Sequence, residues 1–450
     1  MNEDLLSIAG DIVARARALG ADEADAYVVS AVDSTVTVRK GELEKLFEAG
    51  SRSVQLRVIK DHRTAVCNTS DLTPKALEQI VRTAVDLARI SEPDEFAGLP
   101  ATEDLALHLG ASVGLYDENI ESLGIDDMKD VALRAEQAAF DFDSRITNSE
   151  GAEFAAERGQ VALANSLGFV GGYPYTAASV SVSVLADEPD GKKQSDYWFT
   201  AERMLHRLAS PDDVGRRAAA RVVRKLGGRK VATREVPVVW EPTITAALLG
   251  IVASAASGDA LFKRATFLAD LEGQQALSPL VSITDDPTLP AQLGSRPFDG
   301  EGVRARRNAI VESGLVRQFL FDSYYARRMG RRTTGNAARA GDTIGIGAGN
   351  RIWHAGESTP DAIVASVPDG LYLTGMMGPG VNQTTGDFSR GATGIWIENG
   401  ELTHPVIEIN ISGNLKRMLR DIDAVGDDLQ WFAGSAAPTI RMSRLMVSGL

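Results

Sequence analysis

The stretch "GIWIENGELTHPVIEINI", Gly394 to Ile411, leaves this chain few folds to choose from. Runs rich in β-branched and aromatic residues flank Asn399-Gly400. Asn and Gly accept positive φ at both central positions of a type I′ turn, whose twist matches that of paired antiparallel strands. The pair therefore predicts a tight antiparallel hairpin. A second hairpin is predicted in "NAIVESGLVRQFLF", turning at Ser313-Gly314. Nearer the N-terminus, "STVTVRKGELEKLF" offers a Lys-Gly turn and "SVQLRVIKDHRTAVCNTS" an Asp-His turn. Antiparallel sheet on this scale, interleaved with helical segments, predicts an α+β protein and not a doubly wound nucleotide-binding fold.

Helical patterns divide the chain into units. Leu5, Ile8, Ile12, Val13 and Leu19 share one stripe of a helix over residues 3–19, and Thr73 to Ile90 forms a second amphipathic helix. Four strands are expected between them, so residues 1–95 read as one α+β unit. "SEPDEFAGLPATED" is punctuated by Pro and Gly and reads as a linker. Residues 110–228 echo the first unit without a residue-level repeat. They hold a helix from Asp126 to Phe140, strands in "EGAEFAAERGQVALANSLG" and the alternating "TAASVSVSVLA", and a helix from Pro211 to Leu226. "GGRKVATREVP" is the clearest boundary, and residues 233–450 are turn-rich and β-rich. The expected architecture is two small N-terminal α/β units, with mixed or antiparallel sheet and helices, followed by a larger β-rich C-terminal domain with antiparallel hairpins.

Charge and cysteine content narrow the function classes. Across 450 residues, 47 basic against 61 acidic side chains leave a net charge of −14, which disfavours direct nucleic-acid or anionic-membrane binding. The basic run "GRRAAARVVRKLGGRK" spreads its arginines over several helix faces and reads as a solvated helix. A single cysteine, Cys67, excludes an intrachain disulfide framework and fits a reducing compartment. The acidic start "MNEDLLSIAG" is unlike a signal peptide, and no run of about 18 apolar residues offers a membrane span. A cytoplasmic protein is expected.

Familiar catalytic arrangements are missing. The histidines, His62, His108, His206, His354 and His404, are too far apart in sequence for one helix to present a pair to a metal. His62 and Cys67 would face opposite sides of one strand, and Cys67 reads as a small core residue. There is no Gly-x-Ser-x-Gly elbow. "GDTIGIGAGN" lacks the lysine of a phosphate loop and reads as a flexible surface loop. Polar residues set among glycines do stand out. "TGMMGPGVNQTTGDFSRGATG" carries Asn382, Gln383, Asp387 and Arg390, and "PFDGEGVRARR" carries Asp299, Glu301 and Arg304. Glycine permits close backbone approach, so these segments suit the binding of an extended peptide. They equally suit tight turns braced by local Asp–Arg pairs, and both readings stay open. "LLGIVASAASGDALFKRATF", Leu248 to Phe267, reads as a buried helix: Ile244, Leu248 and Val252 form a stripe, and Ala253, Ala255 and Ala256 allow close packing.

"FDGEGVRARRNAIVESGLVRQFLFDSYYARRMG", "TTGN" and "GPGVNQTTGDFSRGATGIWIENGEL" followed by "INISGNLKRML" resemble the TldD/PmbA family, in its PmbA (TldE) branch. The resemblance runs over essentially the whole chain and is densest from Val236 to Leu450. It implies a cytoplasmic TldD–TldE proteolytic assembly acting on unfolded proteins or peptides. In that assembly the TldD-type subunit carries zinc through a His-Glu-x-x-x-His helix and a distant cysteine. Laying the Gly-Asp that follows the metal helix on Gly258-Asp259 puts the histidine positions near Leu249 and Ser254 and the glutamate near Gly250. No ligand is present there, so the resemblance implies no metal or other cofactor in this chain and no catalytic residue of its own. Zinc is expected in a TldD-type partner. The leading expectation is a noncatalytic subunit that completes the cavity and holds extended peptide, with Asp299, Glu301, Asn382, Asp387 and Arg390 as candidate surface residues. The resemblance leaves open a homodimer of the isolated chain. It also leaves open a regulatory binding protein acting on DNA gyrase or toxin systems and, ranked lower, an independent hydrolase with an unrecognised site.

Overall fold

The computed structural model describes residues 5–108, 113–341 and 343–449. Residues 3 and 4 of the expected first helix, residues 110–112 at the expected start of the second unit, and Asp342 lie outside the described residues. Helix α1 (Leu5–Ala18) leads into strands β1 (Glu23–Arg39), β2 (Glu42–Lys60) and β3 (Arg63–Thr69), then helix α2 (Pro74–Ile90). The Thr73 hydroxyl caps α2 by accepting from the N–H of Ala76. Leu5, Ile12 and Val13 are buried as their stripe predicts, whereas Leu19 falls beyond the helix end and is exposed. Where the sequence suggests four strands there are three. β1 and β2 pair from Glu23–Ile59 to Arg39–Glu42 with one bulge near Thr37. The polar "EAGSRS" is exposed strand, because its backbone stays paired to β1 although its side chains bury nothing. The turns Lys40-Gly41 and Asp61-His62 both take positive φ at their two central residues.

Helices α3 (Glu118–Glu121) and α4 (Ile125–Phe140), strands β4 (Ile146–Asn165), β5 (Val170–Asp187) and β6 (Lys193–Glu202), and helix α5 (Pro211–Val223) follow. These strands extend the first sheet. β4 pairs with β1, giving one six-stranded antiparallel sheet of order β3-β2-β1-β4-β5-β6. Period-two alternation puts Ala24, Ala26, Val28, Val36 and Val38 of β1 on one face. α1 and α2 cover one end of that face, burying Ile12, Val28, Leu56 and Val81. α4 and α5 cover the other, burying Val36, Met128, Phe154, Val182 and Val214. Helices α4 and α5 meet at Gly215, where a Cβ would stand 2.1 Å from the carbonyl oxygen of Ala135.

The C-terminal region opens with β7 (Arg234–Trp240), α6 (Pro242–Ala255), α7 (Gly258–Phe262), β8 (Ile283–Asp285), β9 (Asn308–Glu312) and β10 (Leu315–Val316). Next come α8 (Ser323–Arg328), β11 (Ala337–Ala340), β12 (Thr343–Ile346), β13 (Arg351–Trp353), α9 (Pro360–Ala365) and β14 (Asp369–Met377). It closes with β15 (Asp387–Glu398), β16 (Glu401–Asn414), α10 (Leu415–Arg420), β17 (Ile422–Val425), β18 (Gln430–Phe432), β19 (Ser435–Ala437) and β20 (Ile440–Ser448). Two six-stranded sheets result, ordered β16-β15-β14-β7-β20-β17 and β10-β9-β8-β13-β19-β18. Both predicted hairpins form, with φ of 54° and 83° at Asn399-Gly400 and 46° and 80° at Ser313-Gly314. "GDTIGIGAGN" is not a simple loop: Thr343 to Ile346 pair with Ala337 to Ala340. Helix α6 packs against strands of both sheets, β13, β18 and β19 of one and β14 of the other. Its Leu248, Leu249 and Val252 join a core with Trp240, Ile283, Trp353, Leu371 and Ile411. The molecule is α+β with a β-rich C-terminal domain. Among the described residues no helix is long and apolar enough to cross a membrane.

Candidate functional site

Helix α6 is not buried all round. Ala247 and Ser254 are exposed, and Thr243, Gly250 and Ile251 are partly exposed, so helical periodicity gives α6 one open face. Leu249 turns the other way, into the core. Thr243, Ile244 and Ala247 line a cavity of about 580 Å³, together with Trp198 of β6, Met377 of β14 and Phe432 of β18.

Beneath this cleft lies a fixed charge cluster. Arg221 of α5 donates through Nε to Asp196 (3.2 Å) and through Nη2 to the carbonyl oxygen of Thr374 (3.1 Å), and its Nη1 reaches Glu241. Lys225 pairs with Asp196 at 3.0 Å and Arg224 with Glu241 at 2.7 Å. Burial lowers the pKa of Arg221, but Glu241 and Asp196 outweigh it, so the guanidinium is held as a cation. The basic run is therefore only partly the solvated helix that the sequence suggests. Arg216 and Arg217 are exposed, while Arg221 and Arg224 turn inward onto carboxylates that alternation and periodicity alone do not reveal.

The five polar candidates do not converge on one site. Asn382 accepts from the N–H groups of Thr384 and Thr385, and Asp387 accepts from Thr385 (2.7 Å) and Asn414 (3.1 Å). These two residues brace the turn between β14 and β15. Arg390 lines the cleft and donates from Nε to the carbonyl oxygen of Gly378 at 2.9 Å. Asp299 and Glu301 sit elsewhere, in a seam between the first sheet and the C-terminal domain. Asp299 accepts from the backbone N–H groups of Glu301, Val303 and Ala337 at 2.9–3.0 Å. Glu301 accepts from Arg57 at 2.8 Å and from the hydroxyl of Ser323 at 2.6 Å. Arg57 also pairs with Asp25 of β1, which binds Arg339 at 2.7 Å.

The seam's electrostatics are uneven. Burial raises the pKa of Asp25, but Arg339 and Arg57 more than reverse this and keep it ionised. Asp299 is pushed up by burial and by the charge of Glu301. Asp322, which caps α8 by accepting from Tyr325, is pushed up to about 7, by burial first and Glu301 second. A cavity of about 330 Å³ opens beside Arg57, Glu301 and Asp322. Most of these carboxylate oxygens already hold backbone or guanidinium groups, and the Arg57–Glu301 pair fastens the first sheet to the C-terminal domain.

Zinc binding needs three or more His, Cys or carboxylate donors converging at about 2.0–2.3 Å. Among the described residues no group of three His, Cys, Asp or Glu is placed to hold a metal ion. The open face of α6 offers only the hydroxyls of Thr243 and Ser254. These residues do not fit zinc.

Sequence reasoning missed β6, with Asp196 and Trp198, and it missed Arg57, Asp25 and Arg339. Glu241, between Trp240 and Pro242, gives no sign in the sequence of its pairing with Arg221 and Arg224.

Comparison with known proteins agrees with this architecture. Models of PmbA/TldA metallopeptidase domain 1, central domain and C-terminal domain match residues 24–88, 118–226 and 233–449. Metalloprotease PmbA of Escherichia coli O157:H7 is 34% identical over 95% of this chain and 92% of its own length. The PmbA homolog of Haemophilus influenzae is also 34% identical, with the same coverage of 95% and 92%. A crystal structure from Bacteroides thetaiotaomicron, described as a candidate modulator of DNA gyrase, superposes with a TM-score of 0.92 at 27% identity over 100% of both chains. TldE from Thermococcus kodakarensis shares the fold, with a TM-score of 0.88 at 21% identity over 98% of this chain and 100% of its own. The chain belongs to the PmbA/TldD metallopeptidase family, on its PmbA/TldE branch.

Proposed function

We propose that this chain is the noncatalytic subunit of a TldD-type zinc metallopeptidase assembly, one that holds unfolded protein or peptide while a partner cleaves it. The observation that carries this reading is the open face of α6. A cleft-lining helix in a metallopeptidase family presents Ala247, Gly250, Ile251 and Ser254, and none of these can bind a metal or deprotonate a bound water. Zinc then belongs to the TldD-type partner, and the assembly works in the cytoplasm. Arg390 shapes the cleft wall, while Glu301 acts at a distance by fixing the domains through Arg57 and Asp299 braces the loop that carries Glu301. The test is to mix the purified chain with a TldD-type subunit and follow cleavage of an unfolded protein. Cleavage by the mixture but by neither subunit alone supports the proposal, whereas cleavage by the TldD-type subunit that this chain leaves unchanged counts against it.

The relative described as a candidate DNA gyrase modulator supports a second reading, a regulatory binding protein without proteolysis. It requires that the chain capture gyrase, or a toxin acting on it, in the absence of any TldD-type subunit. A pull-down with purified components separates the two readings.

A further inference from the structure

Resting on the peptide-holding reading above, we infer that the slot between the open edges of β6 and β18 takes one extended peptide segment as an added strand, preferring an acidic side chain beside Arg217. β6 ends the first sheet and β18 ends a C-terminal sheet, and among the described residues no strand or isolated bridge pairs with either outer edge. The two edges face each other across a cavity of about 520 Å³, with residues 198–202 on one wall and 430–433 on the other.

The backbone orientation follows from two hydrogen bonds. Lys225 donates to the carbonyl oxygen of Ser195 at 2.8 Å, and the N–H of Tyr197 donates to the Asp196 carboxylate at 2.8 Å. Odd-numbered residues of β6 therefore turn their backbone groups away from β5. Alternation along an antiparallel ladder carries this on to Phe199 and Ala201. Among the described residues, intramolecular partners serve the edge at Ser195 and Tyr197 and none is seen on the outer edge at Phe199 or Ala201. On β18, the two-residue turn at Ala433-Gly434 makes Phe432 and Ser435 the hydrogen-bonded pair and turns the N–H and C=O of Trp431 outward. Edge groups that line a cleft between aromatic side chains can be partnered by an extended main chain whatever its sequence.

Glu202 also lines the slot, near Arg207 and His206, so any charge preference is local to Arg217 at the Trp198 end. Arg217 and Arg221 both lie 5.4 Å from the ring centroid of Trp198. Arg221 is engaged by Asp196, Glu241 and Thr374, whereas Arg217 lines the slot and makes no ion pair among the described residues. A carboxylate on the bound segment is its natural complement, reinforced by the ring beneath it.

The experiment uses the full chain and fluorescently labelled extended decapeptides that differ only in a central Glu or Lys, with binding followed by polarisation. The Glu peptide should bind more tightly, and Arg217→Glu should weaken it by about tenfold while leaving the Lys peptide equal or tighter. N-methylating alternate peptide amides should abolish binding in one register. Arg217 is exposed, so the variant should keep the parent melting temperature. Equal binding of the N-methylated peptides, or an unchanged charge preference in Arg217→Glu, would overturn the slot, as would its occlusion by a TldD-type partner. Specific peptide binding by the lone chain, with no gain in cleavage on adding that partner, would keep the slot and remove the assembly reading.

Discussion

Arg57 shows how one side chain can tie two domains. It lies on a strand of the first sheet and holds Asp25 on the neighbouring strand, while its other guanidinium nitrogen holds Glu301 of the C-terminal domain. Removing one member of such a buried network leaves uncompensated charge, so Arg57→Met should lower unfolding free energy by about 3–5 kcal/mol in denaturant titrations. Removing Arg82 from its exposed pair with Glu78 should cost no more than about 0.5 kcal/mol. Asp322 carries a pH signature. Its pKa is about 7 in the folded chain and near the ordinary aspartate value once unfolded, so the folded state binds the extra proton. Its contribution to stability is therefore fully present below about pH 4, declines as pH rises to 7, and is gone above that, with at most about 4 kcal/mol at stake. Asp322→Asn keeps the helix cap and should flatten the fall in stability between pH 5 and 8. Asp299 and Glu301 were legible as polar residues set among glycines. Their partners were not, because alternation assigns a side chain to a face and cannot name what meets it from 244 residues away.

At the scale of elements, hairpins were the most readable because turn chemistry is local. Asn399-Gly400 and Ser313-Gly314 dictate their φ values almost unaided. Strand lengths were less readable. The polar stretch in β2 looks like a turn but is held extended by its long pairing with β1. β6, the strand that forms the slot, was missed because its aromatic core "YWF" is short and flanked by charge, and only pairing with β5 makes it a strand. Glycines separate packing from chain conformation. Gly215→Ala pushes a Cβ into the backbone of α4 and should cost about 1–3 kcal/mol or more, seen as a lowered melting temperature. Gly250→Ala meets only the end of Arg351 at 3.5 Å, so the better helix former should raise stability by about 0.5–1 kcal/mol. Loss of stability in Gly250→Ala would mean that α6 is packed more tightly than its open face implies.

For the whole molecule, the architecture sets the division of labour. One six-stranded sheet, backed by helices, is bolted through the Asp25–Arg57–Glu301 seam to a domain whose central helix opens onto a cleft. That α6 carries no histidine, cysteine or carboxylate between Pro242 and Ala255 was legible in sequence. The cleft itself was not, because its walls come from β6, α5, α6, β14 and β18, elements that only the fold brings together. The most direct test is zinc content and proteolysis of the purified full chain, alone and then with a TldD-type subunit bearing an intact His-Glu-x-x-x-His helix. The account predicts far less than one zinc per lone chain and no cleavage, with cleavage of unfolded protein appearing when the partner is added. Stoichiometric zinc together with proteolysis by the lone chain would contradict it.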